Sequence, residues 1–383
     1  MRTLILSCNT GQGHNSCAKA IAEVYINNGD ECEICDALSF LSKRISVVIS
    51  GSFTNIYRYC PALFKFGYRH MEKKHTENKK TSLICRMVGL GSKKLAEYIT
   101  KNGFDCVIST HTFAALMLTS AKNRYNLPIK TSFVATDYTC YPFTDETSLD
   151  YYFISDSETA KSYEASHISH DKIICSGIPV RQMFYDSLMK QTAKDLFDIP
   201  QDHRHLIIMG GSMGCGPIRS IAKNIIENLD DKCDVTILCG TNKSLYQKIK
   251  NDYIGNKNVH VRGYTDDISH LMDSADLYFT KPGGISVTEA AVKHLPSVFM
   301  NTVAGCEEYN MDYFINIGLA ATADSFSDLG GLCVTLLNDK AALKDMSDSS
   351  AEFTSLNSAE VIYNCMKGSH TYDNDRVLQT SQL

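Results

Sequence analysis

The chain has 383 residues, too many for one ordinary domain, so two domains are expected. Hydrophobic residues make up 44% and charged residues 21%, a globular composition, and no run of about 18 apolar residues offers a membrane-spanning helix. Net charge is −5 but unevenly placed: residues 43–94 hold 12 Lys and Arg against 2 Asp and Glu, a net +10, and leave the rest of the chain at −15.

In chain order, "RTLILSC" reads as a buried first strand rather than a signal peptide, because it runs into Gly11-Gln12-Gly13-His14 and then a helical pattern. The basic segment follows. Its cations are interleaved with Phe53, Tyr57, Phe64, Phe66 and other apolar residues. An anionic membrane surface selects that mixture, since cations gain attraction and aromatic rings sink into the interface. A solvated basic face is the alternative, and no nucleic-acid motif accompanies the charge. Strands are expected at "DECEICDA", "DCVIST", "IKTSFVAT", "YYFIS" and "KIICSG", then at "HRHLIIMGG", "CDVTILCG", "NVHVRG", "DLYFT" and "PSVFM". Continuous apolar strands alternating with helices imply parallel sheets covered on both faces. The division expected is a first domain over 1–180, a connection over 181–202, a second domain over 203–367, and a frayed polar tail over 368–383. The 15 cysteines are scattered and fit reduced thiols. The close pair Cys32 and Cys35 reads as strand filler, having no second pair at metal spacing.

In doubly wound domains ligands bind beyond the carboxyl ends of the strands. Two loops of the second half sit there: Gly210-Gly211-Ser212-Met213-Gly214 and Lys281-Pro282-Gly283-Gly284-Ile285-Ser286. Glycines let backbone approach a ligand, and free N–H groups at a helix start attract an anion, so two such loops suit a diphosphate. Glu289, about one turn into its helix, is placed to accept from two ribose hydroxyls, or is simply a helix-dipole carboxylate. Gly263 and Tyr264 end a strand where backbone can read a base edge. Glu307 and Glu308 follow a strand on a glycine-bearing loop, placed to bond sugar hydroxyls.

The order of motifs resembles glycosyltransferase family 28, of the GT-B fold, most closely its diacylglycerol-glycosylating branch. The motifs are "GQGHNSCAKAI", "ATDYTCYP", "CSGIPVRQMF", "IIMGGSMGCGPI", "VRGYTDD", "TKPGGISVTEA" and "AGCEEYN". The resemblance implies an α/β fold of two doubly wound Rossmann-like domains facing across a cleft. It also implies a UDP-sugar donor in the C-terminal domain and a lipid acceptor on the N-terminal side. Gly211, Ser212 and Gly214 would line the phosphates, Gly263 and Tyr264 the uracil. Gly283, Gly284 and Ser286 would meet the diphosphate, Glu289 the ribose, and Glu307 with Asn310 the sugar. The family's Gly-Gln-Glu is here Gly305-Cys306-Glu307, and a thiol lacks the two-sided hydrogen bonding of an amide.

In this family the N-terminal glycine loop lines the acceptor side, where His14 is the natural group to take a proton from a hydroxyl. Gly11, Gly13, His111 and Tyr138 are expected beside it. Asp137, after "FVAT", is the second candidate, as base or orienter of the acceptor. Each has a plainer reading: His14 and His111 as braces, Asp137 as a turn or cap residue. The expected reaction is an inverting transfer of a hexose to a diacylglycerol-type lipid, with no cofactor and no obligatory metal, at the cytoplasmic face of a membrane. Alternatives are an N-acetylglucosamine transferase, an epimerase or hydrolase of the same fold, a non-catalytic UDP-sugar sensor, and a dehydrogenase using Gly11, Gly13 and Asp36.

Overall fold

The computed structural model describes residues 1–9, 11–42, 83–300, 305–354 and 356–368. Most of the basic segment (43–82) and the tail 369–383 lie outside the described residues. All eleven expected strands form, and the chain divides into two compact units.

The first unit is built on β1 (Arg2–Ser7), β2 (Glu31–Asp36), β3 (Cys106–Ser109), β4 (Lys130–Val134), β5 (Tyr151–Ile154) and β6 (Ile173–Cys175). They form one all-parallel sheet in the order β2-β1-β3-β4-β5-β6. Leu4 and Leu6 pack in one core with Ala114 and Leu118 of the helix Thr112–Tyr125. Ile5 between them points to the opposite face and is equally buried. The chain leaves β1 toward β2 and later returns to its other side as β3, so β1 and β3 flank a topological switch point.

The second unit has β7 (Arg204–Met209), β8 (Cys233–Leu238), β9 (Val259–Arg262), β10 (Leu277–Thr280), β11 (Ser297–Phe299) and β12 (Ala320–Ala321), again all parallel, in the order β12-β11-β10-β7-β8-β9. Its switch point lies between β7 and β10. Ile218, Ile221, Ala222 and Ile225 present one helical stripe to Leu206 and Ile208. β12 was not anticipated, since two residues carry no periodic signal.

The unit boundaries differ from the sequence expectation at two places. Residues 182–202 go with the second unit rather than standing as a connection. There Ser269 donates to the Met183 carbonyl, and Leu188 N–H donates to Asp273 at 3.1 Å. The helix Ser358–Lys367, expected in the second domain, belongs to the first and packs on the helix Gln12–Asn27. Tyr363 sets its ring edge-on to Tyr25 at 4.9 Å and donates to Asp30 at 2.8 Å. Its apolar stripe was legible; which unit offered the matching groove was not.

The loop after β7 owes its shape to two close backbone approaches. Gly214 has φ +57°, and a Cβ there would stand 2.3 Å from the Cys239 carbonyl oxygen. Gly240 has φ +54°, and its Cβ would stand 2.1 Å from the Ser212 carbonyl oxygen, which accepts from Thr241 N–H at 2.9 Å. By contrast, a Cβ at Gly11 would meet nothing within 4 Å.

Two stability measurements follow. Gly214→Ala should cost more than about 1 kcal/mol, because both the left-handed backbone and the clash oppose a side chain. Gly11→Ala should melt within a degree or so of the parent, and equal melting of both variants would contradict the packing described. Tyr363→Ala should cost roughly 3 kcal/mol through lost ring burial. Tyr363→Phe should cost only about 1 kcal/mol, the scale of one hydrogen bond. Parent-like unfolding of Tyr363→Ala would show that the last helix is not integral to the first unit.

Candidate active site

The first unit gathers its polar side chains at the switch point. Gly11, extended at φ −174°, leads into the helix Gln12–Asn27, whose first turn has no side-chain cap. Beyond Gly13, His14 lies in that turn, and its Nδ1 stands 2.7 Å from the Thr110 carbonyl oxygen, just past β3. A carbonyl only accepts, so Nδ1 carries the proton and Nε2 holds the lone pair. The Thr110 hydroxyl returns a bond to the His14 carbonyl at 3.1 Å. The two loops are thus clasped from both sides.

His111 presents its ring 4.5 Å from that of His14 at an interplanar angle of 60°. Its Nδ1 accepts from Phe113 N–H at 3.0 Å, capping the helix Thr112–Tyr125, so in the neutral ring the proton sits on Nε2. His111 thus caps its helix and also lies against His14. Burial holds the His14 pKa below the ordinary imidazole value and outweighs the Asp137 charge and the Thr110 bond, which both raise it. Burial, and then the neighbouring His14, push His111 well below that value.

Thr136, Asp137 and Tyr138 follow β4, and all three are buried. Thr136 Oγ1 lies 3.1 Å from His14 Nδ1 and 2.8 Å from the Tyr141 hydroxyl. Tyr141 in turn donates to Asp137 Oδ2. Burial first, and then the Asp137 charge, push the Tyr141 pKa well above the usual phenol value, which keeps it a donor. Asp137 is no helix cap; its carboxylate lies within a hydroxyl network that reaches His14. Thr136 and Tyr141 were inside the quoted motif "ATDYTCYP" but carried no role in the sequence reading.

Asp36, the residue a dinucleotide would need, is otherwise employed. It caps the short helix Ala37–Phe40 through Leu38 N–H at 3.1 Å and accepts from Asn9 at 3.3 Å. Asn9 and Ser7 also hold Asn15, beside His14, at 3.0 and 2.6 Å. Cys35 donates to Glu33 rather than pairing with Cys32, and burial pushes the two thiols up to about 11 and about 12.

In the second unit the loops after β7 and β10 meet beside the helix Cys306–Asn316. Lys281 lies along Gly211, where an added Cβ would stand 2.7 Å from its Cε, and its Nζ pairs with Glu307 at 2.6 Å. Glu307 is buried and engaged with this cation, where the sequence reading had it bond a sugar. Asn310 is fully buried and donates to the Pro282 carbonyl at 3.0 Å, which braces the loop carrying Gly283 and Gly284. Ser286 and Glu289, on the helix Gly284–Val292, are half-buried. Gly263 sits 3.9 Å (from an added Cβ) from the Gly240 carbonyl, and Tyr264 is 60% exposed. Lys281 has no role in the expectations above; a lysine at the end of a buried strand, inside a glycine loop, is its signal in the sequence. Among the described residues no group of three or more His, Cys, Asp or Glu is placed to hold a metal ion.

Residues 14–180 match the family model of monogalactosyldiacylglycerol (MGDG) synthase, and residues 205–316 match the glycosyltransferase family 28 C-terminal domain. A processive diacylglycerol beta-glucosyltransferase of Bacillus subtilis (strain 168) is 27% identical over 367 residues, covering 94% of this chain and 93% of its own. Its namesake from Bacillus licheniformis is 27% identical over 371 residues, covering 94% and 92%. Among solved structures, MurG of Acinetobacter baumannii superposes with a TM-score of 0.67 at 12% identity, covering 96% of this chain and 99% of that one. A UDP-GlcNAc 2-epimerase from Neisseria meningitidis gives 0.63 at 14%, covering 96% and 100%. At these identities the structures speak for the fold, which is GT-B. With both halves matched in order along the chain, the protein belongs to glycosyltransferase family 28, its first half of the monogalactosyldiacylglycerol synthase type.

Proposed function

We propose that the protein is an inverting glycosyltransferase that moves a hexose, glucose in the first instance, from a UDP-sugar to a diacylglycerol-type lipid. The observation that carries this reading is the clasp on His14: with its proton fixed on Nδ1, the ring offers Nε2 as a base. The acceptor oxygen forms its bond to the anomeric carbon as the bond to UDP breaks. The acceptor proton passes to Nε2, and UDP leaves with the electron pair. N–H groups of the two glycine loops and the Lys281 ammonium receive the developing charge of the diphosphate. Glu289 holds the ribose. The reaction needs no obligatory metal. Names of the similar curated proteins favour diacylglycerol as acceptor over the nucleotide-sugar epimerase alternative.

The lipid must be met at a membrane, and we infer peripheral attachment to its cytoplasmic face. No helix among the described residues is long and apolar enough to cross one. The described end of the basic segment supports surface docking: Met87 and Leu90 are 50% and 78% exposed beside Arg86, Lys93 and Lys94, also exposed. Apolar side chains next to cations are what an anionic interface takes up.

The direct test incubates the protein with liposomes containing diacylglycerol and each of several UDP-sugars, with and without chelator, and identifies the product. A glycosyl-diacylglycerol should form, in either condition. His14→Ala should lower turnover on the order of 10²–10⁴-fold, the scale of a lost proton acceptor, with UDP affinity by calorimetry unchanged. Because the His14 pKa lies below the ordinary value of about 6.5, the imidazole is neutral at neutral pH. It is lost as a base only as pH falls through its lowered pKa, so the acid limb of kcat/KM should lie below pH 6.5. An acid limb above that value would assign the base elsewhere.

A second test concerns the membrane. Replacing Lys73, Lys74, Lys79 and Lys80 with Gln should reduce flotation with anionic vesicles by orders of magnitude, at roughly 1 kcal/mol per surface-proximal cation. UDP binding should be spared. High salt should mimic the change in part, since apolar side chains still hold. Flotation equal to the parent at low and high salt would mark the segment as a plain solvated surface.

A further inference from the structure

We propose that Thr136 and Tyr141 are positioning residues that carry the Asp137 carboxylate to His14 through hydroxyl groups, holding the ring in the one tautomer and orientation that leaves Nε2 as the base. This rests on the proposed role of His14.

Hydrogen-bond directions follow from chemistry at each atom. The Thr110 carbonyl at 2.7 Å can only accept, so the Nδ1 proton of His14 points toward it. Nδ1 then has no lone pair to offer, and Thr136 Oγ1 at 3.1 Å shares that proton as a second acceptor. The Thr136 hydroxyl proton is thereby free to go onward, and the Tyr141 oxygen is 2.8 Å away. Tyr141 spends its own proton on Asp137 Oδ2. The direct path from Thr136 to Asp137 is 3.5 Å, at the limit of a useful bond. Every donor in the sequence His14, Thr136, Tyr141, Asp137 finds an acceptor, and the series ends on the one group that carries a full charge.

Such a series polarises along its length, and it does so most where water is excluded. Thr136 is 3% exposed and Asp137 8%. As His14 takes the acceptor's proton it becomes a cation, and its Nδ1–H bonds strengthen. The carboxylate meets that charge through the series of hydroxyls. The ring is also flanked by the Thr110 carbonyl and by the His111 ring, whose centroid lies 4.5 Å from its own. The spacing of the hydroxyls suits the series: Thr136 begins the bend that follows β4, and Tyr141 folds back from beyond that bend to reach the residue that follows Thr136.

The test uses the full-length protein, vesicles of diacylglycerol and the UDP-sugar that the product assay selects. Thr136→Val keeps the shape and removes the hydroxyl. It should lower kcat roughly 10-fold or more, the scale of lost support behind a working side chain, with KM for the UDP-sugar unchanged. Thr136→Ser should restore kcat, because the hydroxyl and not the methyl is required. Tyr141→Phe should match Thr136→Val. The double variant should be no worse than the poorer single, since both break one series. Parent-like kcat in Thr136→Val, a serine variant as poor as the valine one, or multiplied losses in the double variant would each overturn the proposal. Melting curves within a few degrees of the parent accompany the expected result; a large drop in Thr136→Val passes the decision to Tyr141→Phe. His14→Ala, run alongside, separates the two levels. Normal turnover there removes the base assignment and the relay with it. Lost turnover there, with normal turnover in Thr136→Val, removes the relay alone.

Discussion

A single hydrogen bond from His14 Nδ1 to the Thr110 carbonyl organises the first unit's site. It joins the loop after β1 to the loop after β3, two strands that are neighbours in the sheet but about a hundred residues apart in the chain. Because the acceptor is a carbonyl, the bond also settles which ring nitrogen keeps the proton. A side-chain acceptor such as a hydroxyl would have left both tautomers open. The reciprocal bond from the Thr110 hydroxyl to the His14 carbonyl ties the same two segments together through the backbone.

The second unit uses the same strand plan to do the opposite kind of work. Its switch point is shaped by glycine loops whose backbone is largely buried. Gly214 and Gly240 are there because the loops after β7 and β8 touch main chain to main chain. That contact sets the loop shape before any ligand arrives. Lys281 brings in a positive charge, and Glu307 keeps it in place with an ion pair that is largely withdrawn from water. An isolated ammonium there would be costly, so the pair lets a cation wait beside Gly211. Asn310 fixes the Pro282 carbonyl and so the start of the second glycine loop.

Burial has two consequences in the first unit that pull against each other. It lowers the pKa of His14, which keeps the ring neutral, and it removes the water that would otherwise stabilise the ring once protonated. A nearby carboxylate restores part of that stabilisation. The cost is a buried charge, and the hydroxyls around Asp137 offset it by hydrogen bonding. Stability is thus spent at the switch point, while the apolar faces of both sheets supply it.

Much of this could be read from residue order. Strands rich in Val and Ile between turn residues announced a parallel architecture, because a strand buried on both faces has no polar side to show. His14 stands out because it follows a glycine turn at a helix start, and His111 and Asp137 because each comes just after a strand. The motif order also carried the family. Other features had no local signature. The helix Ser358–Lys367 reads as an amphipathic helix wherever it docks, and only the groove beside Tyr25 placed it with the first unit. Thr136 and Tyr141 look like a strand end and a turn aromatic until distances of about 3 Å align their hydroxyls with His14. Asn310 and Glu307 are legible as polar residues near the glycine loops, but their bonds to the Pro282 carbonyl and the Lys281 ammonium are not. Periodicity and composition are properties of neighbours in the chain and so survive in the sequence. Hydrogen-bond direction and ion pairing across parallel strands depend on residues brought together from far apart, and tertiary packing alone decides them.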